Sequence, residues 1–187
     1  WLYRDFVFGS VRLEFQARYL RSLFGAGWAI AHPLVLILVY TIIFSQIMRA
    51  KLPQLDSSFA YGIYICAGLL PWTYFSETIN RMQGVFIENG NLIKKARFPK
   101  ASLPAIVLLS ASANFAIIFV LFLAFLFVTN NFPGWIIFAV LPVLIVQIML
   151  AVGLGLLLGT LNVFFRDVGH MTGIFLQLLF WLTPIVY

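Results

Sequence analysis

Aromatic side chains are the residues of this chain best suited to bind something. Phe, Tyr and Trp make up 17% of it. Within apolar stretches stand Tyr40 and Phe44, then Tyr61, Tyr64, Trp72, Tyr74 and Phe75, then Phe175, Phe180, Trp181 and Tyr187. An aromatic face stacks on the C–H face of a sugar, and Tyr and Trp add a polar handle. The same residue types also form the belt at a membrane–water interface, so both readings stay open. Acid–base chemistry is poorly supplied by comparison. Glu77 and Arg81 stand at i,i+4 spacing and can pair. A carboxylate inside a membrane is costly and tends to have a role. His32 and His170 have no second ligand close in sequence, so no metal is expected. No GxxxxGK[ST], HExxH, GxSxG or CxxC occurs, so a P-loop nucleotide site is not expected in this chain. The glycines from Gly153 to Gly159 do not make a phosphate loop, because no strand precedes them and no lysine follows.

The elements that position these residues are membrane helices. Hydrophobic residues make up 63% of the 187, charged residues 10%, and the mean hydropathy is +1.01. Soluble domains carry about 25% charged residues. A bilayer core takes about 20 apolar residues per helix. Five stretches meet that length: Ala29–Met48, Phe59–Ile79, Leu103–Val128, Trp135–Leu161 and Val168–Tyr187. None alternates apolar with polar residues, so they read as helices and not barrel strands. The fold class is an all-α polytopic membrane protein. Cys66, the single cysteine, falls in a span and reads as a small buried hydrophobe.

Residues 3–24 read as an amphipathic helix lying on the membrane face. Phe6, Leu13, Ala17, Leu20 and Phe24 form its apolar stripe, and Ser10, Glu14, Arg18 and Arg21 its polar one. Glu14 and Arg18 form an i,i+4 pair. Gly25, Gly27 and Pro33 break the path and turn the chain into the membrane. Pro71 predicts a kink in the second span. A loop of residues 81–102 follows, broken by Gly84, Asn89, Gly90 and Asn91. Ala151, Gly155 and Gly159 form a ladder that admits another helix closely, and the small residues of Ser110–Asn114 read the same way. Asn114, Gln147 and Gln177 are candidate interhelical hydrogen-bond partners, and Asp167 a cap for the fifth span.

The net charge of +6 reads as topology and not as nucleic-acid binding. Arg4, Arg12, Arg18, Arg21, the cluster Arg81 to Lys100, and Arg166 all fall on one side if the spans alternate. Only Arg49 and Lys51 fall on the other. The positive-inside rule then puts the N-terminus in the cytoplasm.

Several motifs, in this order, resemble the ABC-2 type permease family. They are Ser22-Leu23-Phe24-Gly25-Ala26-Gly27-Trp28 with Pro33-Leu34, then Gly68-Leu69-Leu70-Pro71-Trp72. Asn91-Leu92-Ile93-Lys94-Lys95, Phe98-Pro99 and Asn162-Val163-Phe164-Phe165-Arg166-Asp167-Val168 follow. Phe180-Trp181-Leu182-Thr183-Pro184-Ile185-Val186-Tyr187 closes the series. The resemblance covers essentially the whole chain. It is strongest to the branch that exports O-antigen, teichoic acid and capsular polysaccharide.

The resemblance implies one ABC-2 type transmembrane domain over 1–187. Residues 1–27 would be the interface helix, 28–187 the spans, and 81–102 a cytoplasmic coupling loop. It implies six spans, so a sixth is expected beyond Tyr187; both chain ends read as cut. It implies a homodimer with two separate ATPase subunits, in the bacterial inner membrane, with ATP and Mg on the partner and no cofactor here. The cargo implied is a lipid-linked polysaccharide. Its path would draw on Tyr40, Phe44, Trp72, Tyr74, Phe75, Phe180 and Trp181. Arg18 and Arg21 would attract the diphosphate. Asn91, Leu92, Ile93, Lys94 and Lys95 would dock on the ATPase. The expected activity is transport and not catalysis. The alternatives are an ABC-2 exporter of a drug or small lipid, and a membrane-embedded glycan enzyme. The enzyme would need clustered acid, base or metal-binding groups.

Overall fold

The computed structural model describes residues 4–19, 27–43, 60–90, 93 and 101–185. Every regular element among them is helical. In chain order they are α1 (Arg4–Tyr19), α2 (Trp28–Ile42), α3 (Ala60–Glu88) and α4 (Ser102–Val128). A 3-10 turn (Gly134–Ala139), α5 (Val140–Phe164) and α6 (Asp167–Leu182) follow. Among the described residues, two helical stretches, Ser102–Val128 and Gly134–Phe164, are long and apolar enough to cross a membrane.

α3 is the central helix and packs against α2, α4, α5 and α6. On one side Ile37, Cys66, Leu70 and Tyr74 are buried with Ala111, Phe115 and Phe122 of α4. On the other, Phe75 and Ile79 are buried with Ala151 of α5 and Leu176 of α6. Glycine ladders allow the close approach of α5. A Cβ on Gly155 would sit 2.7 Å from Met82 Cβ, and one on Gly159 would sit 2.8 Å from the Met82 carbonyl oxygen. Gln147 adds a polar tie, its Nε2 donating to the Pro71 carbonyl at 2.6 Å.

Several boundaries differ from the sequence expectation. α3 does not end at Ile79 but runs to Glu88 and takes in Gly84. Met82 and Val85 are the reason: both are buried with Leu103 and Val107 of α4, so helix continuation is favoured by packing. Pro33 does not break the path, since it lies buried inside α2. α6 ends at Leu182, short of Tyr187, because Thr183 precedes Pro184 and turns extended (φ −82°, ψ 137°). Asp167 is the first helical residue of α6 and not its cap; Asn162 takes that role, its Oδ1 accepting the Gly169 N–H at 3.1 Å. Asn130 closes α4 in the left-handed region (φ 56°). The Asn131 N–H then reaches the Leu126 carbonyl and the Asn130 N–H the Phe127 carbonyl, a Schellman arrangement.

α1 packs against α4. Glu14 turns toward the bundle, while Phe6 and Leu13 remain exposed.

Candidate functional site

The residues that share one face of α3 are Trp72, Thr73, Ser76 and Asn80, at helical spacing. Gln177 and Phe180 do the same on α6. Between the two helices these six line an open groove of about 340 Å³. Trp72 is its aromatic centre. Its ring lies 5.7 Å from Phe180 across the groove and 5.7 Å from Phe75 on its own helix. Phe180 continues the strip to Trp181, edge-on at 5.5 Å.

The polar groups stand beside that strip. Asn80 and Gln177 are exposed amides, each carrying two donors and an acceptor. The Thr73 hydroxyl donates to the Leu70 carbonyl at 2.8 Å, and Ser76 to the Thr73 carbonyl at 3.1 Å. With their protons held by backbone, both oxygens keep lone pairs as acceptors. None of the groove-lining residues is ionisable. Such a surface suits a neutral, hydroxyl-rich ligand with apolar C–H faces.

A charged junction lies where α1, α3 and α4 meet. Arg81 Nη2 bonds Glu14 Oε1, and Arg81 Nη1 stands 3.5 Å from Glu77 Oε1. Ser110 Oγ donates to Glu14 Oε2 at 2.8 Å, and Asn114 Nδ2 to Glu77 Oε2 at 3.1 Å. The expected Glu77–Arg81 pair is thus present. What sequence spacing could not reveal is that Arg81 also holds α1. A second space, about 450 Å³ and almost wholly apolar, lies among Phe75 and Ile79, Leu158 of α5, and Met171 and Phe175 of α6.

The expected path residues divide. Trp72, Phe75, Phe180 and Trp181 form one contiguous strip. Tyr74 faces the opposite side of α3, 4% exposed. Its ring stacks on Phe115 at 4.7 Å and its hydroxyl lies 2.7 Å from Ser112 Oγ. Tyr40 packs against that same core. Phe44 and Arg21 lie outside the described residues, as does the Arg18 side chain. Of the expected docking segment only Ile93 is described, packed against the cluster of Met82, Val85 and Leu103. Asn91, Leu92, Lys94 and Lys95 lie outside.

Sequence reasoning missed Thr73, Ser76 and Asn80. Their signal was available as neutral polar residues at i, i+3 and i+7, on a different face from Tyr74 and Thr78.

Residues 7–187 match the ABC-2 type transporter family. An O-antigen export system permease protein RfbA of Klebsiella pneumoniae is 31% identical over 175 residues, covering 93% of this chain. The chain spans 65% of that relative's length. An O-antigen export system permease protein RfbA of Myxococcus xanthus is 30% identical over 185 residues, covering 99% of this chain and 69% of its own length. With nearly its whole length matched and its described residues all-helical around long apolar spans, this chain belongs to the ABC-2 type transporter family and is an integral membrane protein.

Proposed function

We propose that this chain forms the transmembrane permease of an exporter that moves a lipid-linked polysaccharide across the bacterial inner membrane. The groove between α3 and α6 carries the reading. It joins an aromatic strip to amide and hydroxyl groups and has no ionisable lining, which is the chemistry a neutral glycan needs. The names of the RfbA relatives supply the cargo class.

In this reading the chain crosses the membrane five times with its N-terminus in the cytoplasm, as the basic residues favour. α1 lies on the cytoplasmic face, with Phe6 and Leu13 in the lipid. Two copies enclose the path. Two separate ATPase subunits, holding ATP and Mg, dock on the segment Asn91–Lys95. Arg18 and Arg21 draw in the diphosphate. A second reading, export of a small apolar lipid or drug, draws on the apolar space between α5 and α6.

The experiment compares Trp72→Leu and Phe180→Leu in the full-length permease with its ATPase. Leu keeps apolar bulk and removes the π face, whose stacked contacts with another ring are worth roughly 0.5–1.5 kcal/mol and set the scale for a sugar face. Surface polysaccharide, normalised to membrane protein, should fall in both variants. Export equal to wild type in both would reject the glycan groove and leave the apolar reading.

A further inference from the structure

The motif Asn162–Val168 has no part in the groove, yet its first residue joins three helices. Asn162 stands in the last turn of α5 and is 7% exposed. Its Nδ2 donates to the Gln83 carbonyl of α3 at 3.1 Å. Its Oδ1 accepts the Gly169 N–H of α6 at 3.1 Å. Gln83 returns the contact, Nε2 donating to the Gly169 carbonyl at 3.4 Å. The Gly169 N–H is one of the first in α6; its backbone bond to the Arg166 carbonyl is the longer of its two at 3.3 Å, and Arg166 provides no side-chain cap. A Cβ at Gly169 would lie only 3.3 Å from Asn162 Oδ1, so glycine lets the amide sit this close. Gly159 presses on the Met82 carbonyl one residue away from Gln83. At this level α3, α5 and α6 are therefore one packed unit.

One turn further along α6 the packing opens. A Cβ on Gly173 would meet nothing within 4 Å, and Gly173 already lines the groove. Leu176 keeps contact with Phe75 and Ile79 behind the groove, the Trp72 and Phe180 rings meet along it, and the chain after α6 returns to α3 past its other end. There the Tyr64 hydroxyl donates to the Pro184 carbonyl at 3.3 Å, and Ile185 Cγ2 would lie 3.0 Å from a Cβ on Gly68. The groove is thus pinned at both ends, and the Asn162 end lies toward the segment that follows α3.

We infer that Asn162 is the positioning residue that fixes α6 to α3, so that displacement of the end of α3 reaches the groove through Gln83, Asn162 and Gly169. Asn162 does not touch cargo. The inference rests on the reading of the groove as the cargo path, but the joint is testable without cargo.

The plain structural role would be to cap α6 and shape the α5–α6 turn. Asn162→Asp separates the two roles. Asp keeps an acceptor for the Gly169 N–H and loses the donor to the Gln83 carbonyl. Nitroxides at Thr73 and Gln177, on a cysteine-free full-length permease in lipid nanodiscs, report the groove width by dipolar broadening. Asn162→Asp and Asn162→Ala should both reduce the broadening, with the separated population rising roughly tenfold or more. Gln83→Ala, which leaves both Asn162 bonds and the turn in place, should shift it in the same direction by less. Reconstituted with the ATPase, the Asp variant should hydrolyse ATP normally while export per ATP falls about tenfold. A merely structural defect would lower both in proportion to folded protein.

Spectra of Asn162→Asp and Gln83→Ala identical to wild type would overturn the joint. If Asn162→Ala yields no folded protein, those two variants carry the test. Label responses as expected, in a wild-type protein that exports no polysaccharide, would instead reject the cargo assignment and leave the joint standing.

Discussion

Gly159→Ala adds one methyl group where α5 meets the backbone of α3. The new Cβ would stand 2.8 Å from the Met82 carbonyl oxygen and 3.5 Å from Gln83 Cα. Ordinary contact begins near 3.4 Å, so the approach is about 0.6 Å too close. The obstacle is backbone and cannot rotate away; α5 must shift against α3. Overpacking of this kind costs about 1–3 kcal/mol. Gly153 provides the internal control. It lies on the same helix, and a Cβ there would meet nothing within 4 Å. Both substitutions gain the same helix propensity, roughly 1 kcal/mol. Their difference therefore isolates the clash. For a domain of this size 1 kcal/mol moves Tm by about 2–4 °C, so the two variants should differ by roughly 2–12 °C. The assay is thermal unfolding of the full-length protein in detergent, followed by the fraction still monodisperse after heating. Gly153→Ala should match or exceed wild type, and Gly159→Ala should fall below it. Equal midpoints for the two would refute the close packing of α5 on Met82.

Tyr74→Phe should cost about 0.5–1.5 kcal/mol by removing the hydroxyl partner of Ser112, while export per folded molecule stays at wild type. Lost export at normal stability would place Tyr74 in the cargo path after all. Arg81→Ala leaves Glu14 and Glu77 without the cation they share, and should destabilise by about 1–3 kcal/mol, between the values for exposed and buried pairs. Limited proteolysis should then cut within Arg4–Tyr19 faster than in wild type, and an unchanged cleavage rate would show that α1 is held by other contacts.

The extent of two apolar spans, those of Ser102–Val128 and Gly134–Phe164, was legible without coordinates. α4 and α5 begin and end within a few residues of their expected positions, because continuous apolar runs of that length have one stable state in lipid. The close-packing role of Ala151, Gly155 and Gly159 was legible too, since small residues at four-residue spacing make a flat helix face. Asn114 and Gln147 were identifiable as polar ties because a lone amide in an apolar helix needs a partner.

Which face of each helix turns inward was not legible. In a soluble helix the apolar stripe marks the core. Here lipid is as apolar as the interior, so Trp72 and Tyr74 look alike in sequence. Only packing put Trp72 across from Phe180 and buried Tyr74 against Phe115. The end of α3 was misjudged for a related reason. Local composition at Gly84 favours a break, while burial of Met82 and Val85 against α4 favours continuation, and the tertiary term is the larger. The partners of Glu14 and Asn162 were beyond sequence altogether. Arg81 is 67 residues from Glu14, and Gln83 is 79 from Asn162. The sequence by itself determined that this is a bundle of apolar helices carrying aromatic and amide residues. The tertiary structure decided which of those residues meet, because that depends on how helices rotate against one another and not on how apolar they are.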